Sequence, residues 1–347
     1  MPVRPESTEP VEDISDYELH GRKYSVLSSR PLPVDENELI HQKLLDALFK
    51  LALDRKNYLC PQDIHKARVL DLNSRLGDWC LAVGDLDDTC EIIGVDIAPI
   101  QPMWVAPTVR FEIDDIDDNW TWGNRFHLIF ARQLTYTRNL LKLVSQCYNQ
   151  LEPGGWLEFQ QLSVEPHVGS PSRDRDDERL RDPKDEHLGN PEDMLPTLKM
   201  AISELNHQLV KAEDIECVLQ AQGFQNVKHT TIEIPFGSWP EDERKKHLGI
   251  IRQAEFKAGT ASRKAQEPKS CVAFVHRICS EMILGKKDTY DLFQHAPIGE
   301  DVGADQTTIV RRTRSGANWF LKGFNLVILV VEQQAPRRES NRSTKDG

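Results

Sequence analysis

The stretch whose reading decides the fold is Val69–Asp96, VLDLNSRLGDWCLAVGDLDDTCEIIGVD. It opens on a short apolar run, Arg68 to Leu72, that reads as a buried strand. A loop follows, then a helical stretch from about Trp79, then a second apolar run, Ile92 to Val95, closed by Asp96. Strand, loop, helix, strand and acid, in that order, is the layout of a nucleotide-binding βαβ unit. In that layout Asp96 stands where a ribose is held by its hydroxyls. The loop departs from the pattern. A phosphate- or cofactor-cradling loop uses glycines for its tight turn and close backbone approach, whereas Asp71-Leu72-Asn73-Ser74-Arg75-Leu76-Gly77 keeps one.

Outward from this unit the alternation continues. A helix is predicted from Asp35 to about Leu53, with Leu39, Leu44, Leu45, Leu48, Phe49 and Leu51 at roughly helical spacing. Val109–Ile113 and Phe126–Phe130 read as strands, Leu140–Leu151 as an amphipathic helix, Pro153-Gly154-Gly155 as a turn and Trp156–Gln161 as a further strand. Strands alternating with helices predict a doubly wound, mostly parallel sheet. Helices are expected over Leu195–Leu209 and Ala212–Gln222, with Gly223 as a C-cap, and through much of Pro240–Lys287. Val227–Ile234 and Phe320–Val331 complete the strands. The run Arg173–Glu186, almost wholly charged with both signs mixed, predicts a solvated insertion that contributes little to a core.

The chain divides on this reading into a disordered 1–16, an N-terminal helical cap at 17–60, a core at 61–165, a charged insertion at 166–194, a C-terminal part at 195–334 and a tail at 335–347. At 347 residues, 39% of them hydrophobic, it can bury a large core. No apolar run is long enough to span a bilayer, and the first residues lack the apolar segment of a secretory signal. A net charge of −12 argues against a nucleic-acid partner. Seven scattered cysteines with no CxxC suit reduced thiols in the cytosol or nucleus and no zinc site.

The string EIIGVDIAPIQPMWVAPTVRFEIDDIDDNWTW, with FHLIFARQL, LVSQCYNQLEPGGWLEFQQ, Gly21-Arg22-Lys23-Tyr24, Gln222–Val227 and Pro235–Pro240, strongly resembles the fungal LaeA-like family of class I S-adenosylmethionine (SAM) methyltransferases. The resemblance covers roughly residues 18 to 260, fades to about 315 and returns weakly over Trp319–Glu332. It implies a Rossmann-like fold whose seven-stranded sheet ends in a reversed hairpin, with helical cap elements at either end. It further implies SAM as cofactor and a place in secondary metabolism. For single residues it implies that Asp71 closes the first strand under the cofactor, Asp96 holds the ribose, Asp114 and Asp115 meet the adenine amino group, Arg132 stands at the substrate rim, and Tyr24 closes over from the N-terminal segment. Relatives carry Gly-x-Gly-x-Gly after the first acid, where this chain has Asn73, Arg75 and Gly77. Arg75 either fills the space where cofactor and loop meet or pairs with the SAM carboxylate. His127 and Gln161 stand where relatives have acids.

Three functions follow. The first is methyl transfer from SAM to a small molecule, with Arg132, Tyr136 or His41 as catalytic candidates. The second is a cyclase on the same scaffold, a pericyclase or Diels–Alderase needing no methyl donor. The third is a LaeA-like regulator acting through protein partners. His167 is a further base candidate, and Trp104, Trp120, Trp122 and Trp239 are candidates for an apolar pocket wall.

Overall fold

The computed structural model describes residues 17–19, 22–24, 33–163, 167–168, 203, 206–260, 310–312 and 318–333. The Arg173–Glu186 run, both termini and most of the helix expected over Leu195–Leu209 lie outside them.

Seven strands build the main sheet: β1 (Arg68–Asp71), β2 (Glu91–Asp96), β3 (Val109–Ile113), β4 (Phe126–Arg132), β5 (Leu151–Leu162), β6 (Gln225–Pro235) and β7 (Asn318–Glu332). Their order is β6-β7-β5-β4-β1-β2-β3. The pairs from β3 across to β5 are parallel, and β7 runs antiparallel to both its neighbours, which makes the reversed final hairpin. Two short strands, His167–Val168 and Val310–Arg312, pair with the start of β7. Val69, Leu70, Ile92, Ile93, Leu128 and Ile129 are fully buried, because a central parallel strand is covered on both faces.

Among the described residues five helices supply that cover: α1 (Glu36–Ala52), α2 (Asp78–Gly84), α3 (Leu140–Gln150), α4 (Ala212–Ala221) and α5 (Glu243–Thr260). The strands alternate their side chains between two cores. Leu70, Ile93, Ile129 and Leu157 pack with Leu143, Val144, Ile215 and Leu219 of α3 and α4. Val69, Ile92, Leu128 and Ile328 pack with Leu48 and Phe49 of α1, Trp79 and Val83 of α2 and Leu248 of α5.

Local chemistry sets the ends. Asp35 caps α1 by accepting from the Glu38 N–H at 3.0 Å. Gly223, at φ +91°, closes α4 with the paired bonds of Gly223 N–H to Gln220 O and Phe224 N–H to Leu219 O, the C-cap foreseen from its sequence position. Two expectations are corrected. Pro153-Gly154-Gly155 is not a turn before β5 but a bulge inside it. Phe126 faces Leu151 while Leu128 faces Trp156, so three extra residues are looped out, with Gly154 at φ +84°. Gln208–Leu209 is not helical: it is a short strand paired with Tyr136–Thr137, because the segment after β4 leaves its backbone groups open to a partner.

Candidate active site

Open parallel sheets bind ligands at the carboxyl ends of their strands. Here those ends border a hollow of about 410 Å³, part of it open to solvent. Its walls are the β1–α2 loop (Asn73, Ser74, Arg75, Leu76), the start of α2 (Asp78, Trp79), Asp71 at the end of β1, the Arg132–Gln133 corner after β4, and Gln42, Leu45 and Asp46 of α1.

The loop holds its shape without its first two glycines. Asn73 donates to the carbonyls of Arg132 (2.8 Å) and Gln133 (3.2 Å), so its amide ties the loop to the corner after β4. Arg75 takes the left-handed conformation, φ +49°, that a glycine would adopt without strain. Its N–H donates to Asp96 Oδ2 at 2.9 Å, and Gln101 donates to its carbonyl at 2.6 Å. Gly77, at φ +79°, sits against the Phe111 ring with no room for a Cβ, so its freedom serves packing as well as the turn.

Of the residues named from sequence, Asp71, Asn73, Arg75 and Arg132 line the hollow. Asp71 is fully buried and accepts from the Asn73 N–H and the Cys80 thiol. Burial pushes its pKa up to about 6, against the pull of these donors and of Arg132. Asp96, at the end of β2, accepts from Ala98 N–H on one oxygen and Arg75 N–H on the other. Asp114 is exposed and its N–H donates to the Asp96 carbonyl at 3.2 Å, whereas Asp115 is engaged with Arg138 at 3.1 Å and with the Asp117 N–H. The two adjacent acids therefore do different work.

The catalytic candidates divide as well. Arg132 is clamped: Nε donates to Gln160 Oε1 (2.9 Å), a second nitrogen pairs with Asp46 (3.2 Å), and the guanidinium lies over the rings of Phe49 and Phe130. His41 faces α5, 3.0 Å from Glu255 Oε1, and is not among the residues lining the hollow. Burial would pull its pKa down, but the Glu255 carboxylate outweighs that and holds it above the ordinary value. Tyr136 stands in the two-strand patch beyond the corner, its ring edge-on to His207. Tyr24 is buried, stacked on Tyr17, and outside the hollow's lining. The four tryptophans named from sequence are not among the residues lining the hollow: Trp120 and Trp122 pack on the α3–α4 core, and Trp104 and Trp239 are exposed. His127 accepts from Arg68 N–H, a structural bond.

Sequence reasoning missed Gln42, Asp46, Ser74 and Gln133. The α1 residues were invisible because nothing along the chain says that a helix thirty residues upstream folds over the loop. Their spacing was the available signal: Glu38, Gln42 and Asp46 recur every fourth residue along one line of the helix.

Residues 44–229 match the methyltransferase domain family. The chain belongs to the LaeA-like class I methyltransferases. Over 244 residues the chain is 31% identical to the methyltransferase pytC of Aspergillus terreus, with 69% of its own length and 72% of the relative's covered. It is 26% identical over 230 residues to the secondary metabolism regulator LAE1 of Cochliobolus heterostrophus, covering 62% of its own length and 69% of LAE1. It is also 26% identical over 241 residues to the secondary metabolism regulator laeA of Aspergillus niger, covering 67% and 60%. It is a SAM-dependent methyltransferase-like enzyme by family. Among the described residues no helix is long and apolar enough to cross a membrane.

Proposed function

We propose that this methyltransferase binds SAM in the hollow and transfers its methyl group to a small molecule in natural-product assembly. One observation carries the reading. Gln42 Oε1, Ser74 Oγ and Arg75 Nε are buried without a hydrogen-bond partner, and all three belong to residues lining this one hollow. A buried polar atom left unpaired costs about 1–3 kcal/mol, so three together fit a place that a polar ligand completes. The donor set suits SAM: acceptors for hydroxyls and an ammonium, a cation for a carboxylate.

SAM, when bound, supplies a methyl group on a positively charged sulfur. The chain's own residues bind and orient. Asp96 is held by Ala98 N–H and Arg75 N–H, and each carboxylate oxygen keeps a lone pair for a ribose hydroxyl. Asp114 offers an exposed carboxylate beside Asp96 for the adenine amino group. Leu45, Leu76 and Trp79 give apolar wall that excludes water. Asp46, fixed by Arg132 and Lys50, is the carboxylate that α1 turns toward the hollow, which makes it a better-placed proton acceptor than His41.

Arg75 in a glycine position favours one other reading, cyclisation without a cofactor. A titration separates the two. SAM should raise the unfolding temperature in proportion to its occupancy, and product should form only with SAM present. Absence of binding, with turnover indifferent to SAM, would overturn methyl transfer in favour of the cyclase. Absence of binding with no turnover would leave the regulator.

A further inference from the structure

Two side chains of the hollow converge on one atom. Gln42 donates its Nε2 to Glu38 Oε1 at 3.1 Å, and an Arg75 guanidinium nitrogen lies 3.8 Å from that same oxygen. Glu38 itself is buried, 2% exposed. Its carboxylate can only accept, so the amide group facing it is the NH2, and Gln42 is left presenting its carbonyl oxygen. That oxygen is buried, in a residue 6% exposed, and has no partner. Arg75 is held loosely for a guanidinium: 3.8 Å from Glu38 and 3.5 Å from the Gln133 carbonyl, with Nε buried and unpartnered. Arg22 is committed to Asp35 by two bonds of 2.5 and 3.0 Å and also lies 3.7 Å from the other oxygen of Glu38. Glu38 is thus a counter-charge that Arg75 shares with Arg22. Beside them Ser74, 5% exposed, has a hydroxyl with no partner.

The site therefore shows an aimed acceptor, a cation with free donor capacity and a hydroxyl, side by side. The chemical group that needs an acceptor and a cation a few ångströms apart is a zwitterionic α-amino-acid head, its ammonium on the acceptor and its carboxylate on the guanidinium. We propose that Gln42 and Arg75, with Ser74, form a side-chain clamp for the amino-acid end of the cofactor, replacing backbone contacts that a glycine-rich loop would make. Arg75 is then the residue that the altered loop binds with, not the residue that closes it. The proposal rests on the SAM reading above and adds which end of the ligand these residues hold.

The test compares two ligands by calorimetric titration of the full chain. S-adenosylhomocysteine carries the amino-acid head; 5′-methylthioadenosine has the same nucleoside and sulfur without it. Wild type should bind the first about a hundredfold more tightly, the value of two charge-assisted contacts. Arg75→Met and Gln42→Leu should each lower affinity for S-adenosylhomocysteine about tenfold or more and leave 5′-methylthioadenosine within about twofold. Arg75→Lys should recover part of the loss. If Gln42→Leu fails to fold, Ser74→Ala stands in for it, with the same selective loss expected. Equal affinity of wild type for the two ligands, or tighter S-adenosylhomocysteine binding by Arg75→Met, would overturn the clamp and leave the SAM reading standing. Binding of neither ligand would sink both.

Discussion

Arg132 and Arg75 stand on either side of the same hollow, and their surroundings differ in kind. The floor behind Arg132 is saturated. Glu158, fully buried on β5, accepts from Leu59 N–H (2.7 Å), Cys60 N–H (2.8 Å) and Gln160 Nε2 (2.8 Å). Gln160 also donates to the Asn57 carbonyl and accepts from Arg132, which pairs with Asp46. Every polar group in that chain has a partner within the protein. The rim at Gln42, Ser74 and Arg75 is open, with long contacts and three partnerless atoms. A saturated network holds structure, because removing one member strands the others in low dielectric. An open one holds little, and what it loses in stability it can recover only from a ligand. Of the two arginines that line the hollow, Arg132 is fixed by short bonds and Arg75 is held only by long ones.

The largest effect should come from the floor. Glu158→Ala strands two backbone N–H groups and the Gln160 amide, and should cost about 3–5 kcal/mol in denaturant unfolding. A loss under about 1 kcal/mol would break the distinction between floor and rim.

Asp71 lies between the two regions, and its burial makes the next effect pH-dependent. Its folded pKa, raised by burial from 3.8 to about 6, means that stability from this group is fully present below 3.8 and is lost as pH rises through 6. At about 1.4 kcal/mol per tenfold change in proton affinity, the loss amounts to about 3 kcal/mol. The unfolding free energy of wild type should therefore fall relative to Asp71→Asn between pH 4 and pH 8. A constant difference between the two proteins across that range would show that Asp71 does not titrate there.

Replacing the arginines sharpens the comparison directly. Arg132→Met should cost about 2 kcal/mol, since Gln160 Oε1 loses its donor and Asp46 one of its two cations. Arg75→Met should stay within about 0.5 kcal/mol of wild type, because it breaks only long contacts and Glu38 keeps Arg22 and the Gln42 amide as partners. Equal losses would mean that both are braces. The smallest effect, and the sharpest, is Ser74→Ala: removal of a buried hydroxyl that bonds nothing should leave stability unchanged or raise it by up to about 1 kcal/mol. Measurable destabilisation would reveal a bond that the rim makes in the free protein.

The strand-loop-helix-strand unit, the acid at Asp96 and the mostly parallel character of the sheet were legible because they rest on local signals: apolar runs bounded by turns, and periodicities that change from helix to strand. The αL glycines at 77 and 223 were legible for the same reason. Asp115, by contrast, looked like Asp114 until Arg138, more than twenty residues on, engaged it and left its neighbour exposed. His41 and Tyr136 had the right chemistry for a base and the wrong neighbours, since α5 covers the first and the Gln208–Leu209 strand pairs beside the second.

What the sequence determined by itself is the scaffold and the presence of an arginine where the loop pattern calls for a glycine. Tertiary structure decided which groups surround that arginine. Arg75 has the same side chain in any fold, but its energy depends on the charges and acceptors brought against it. Here α1 lays Glu38 and Gln42 across the loop, more than thirty residues away along the chain, giving the cation a counter-charge and leaving an acceptor beside it. Long-range packing sets the solvent exposure and the partners of each polar atom, and those two quantities separate a brace from a binding group.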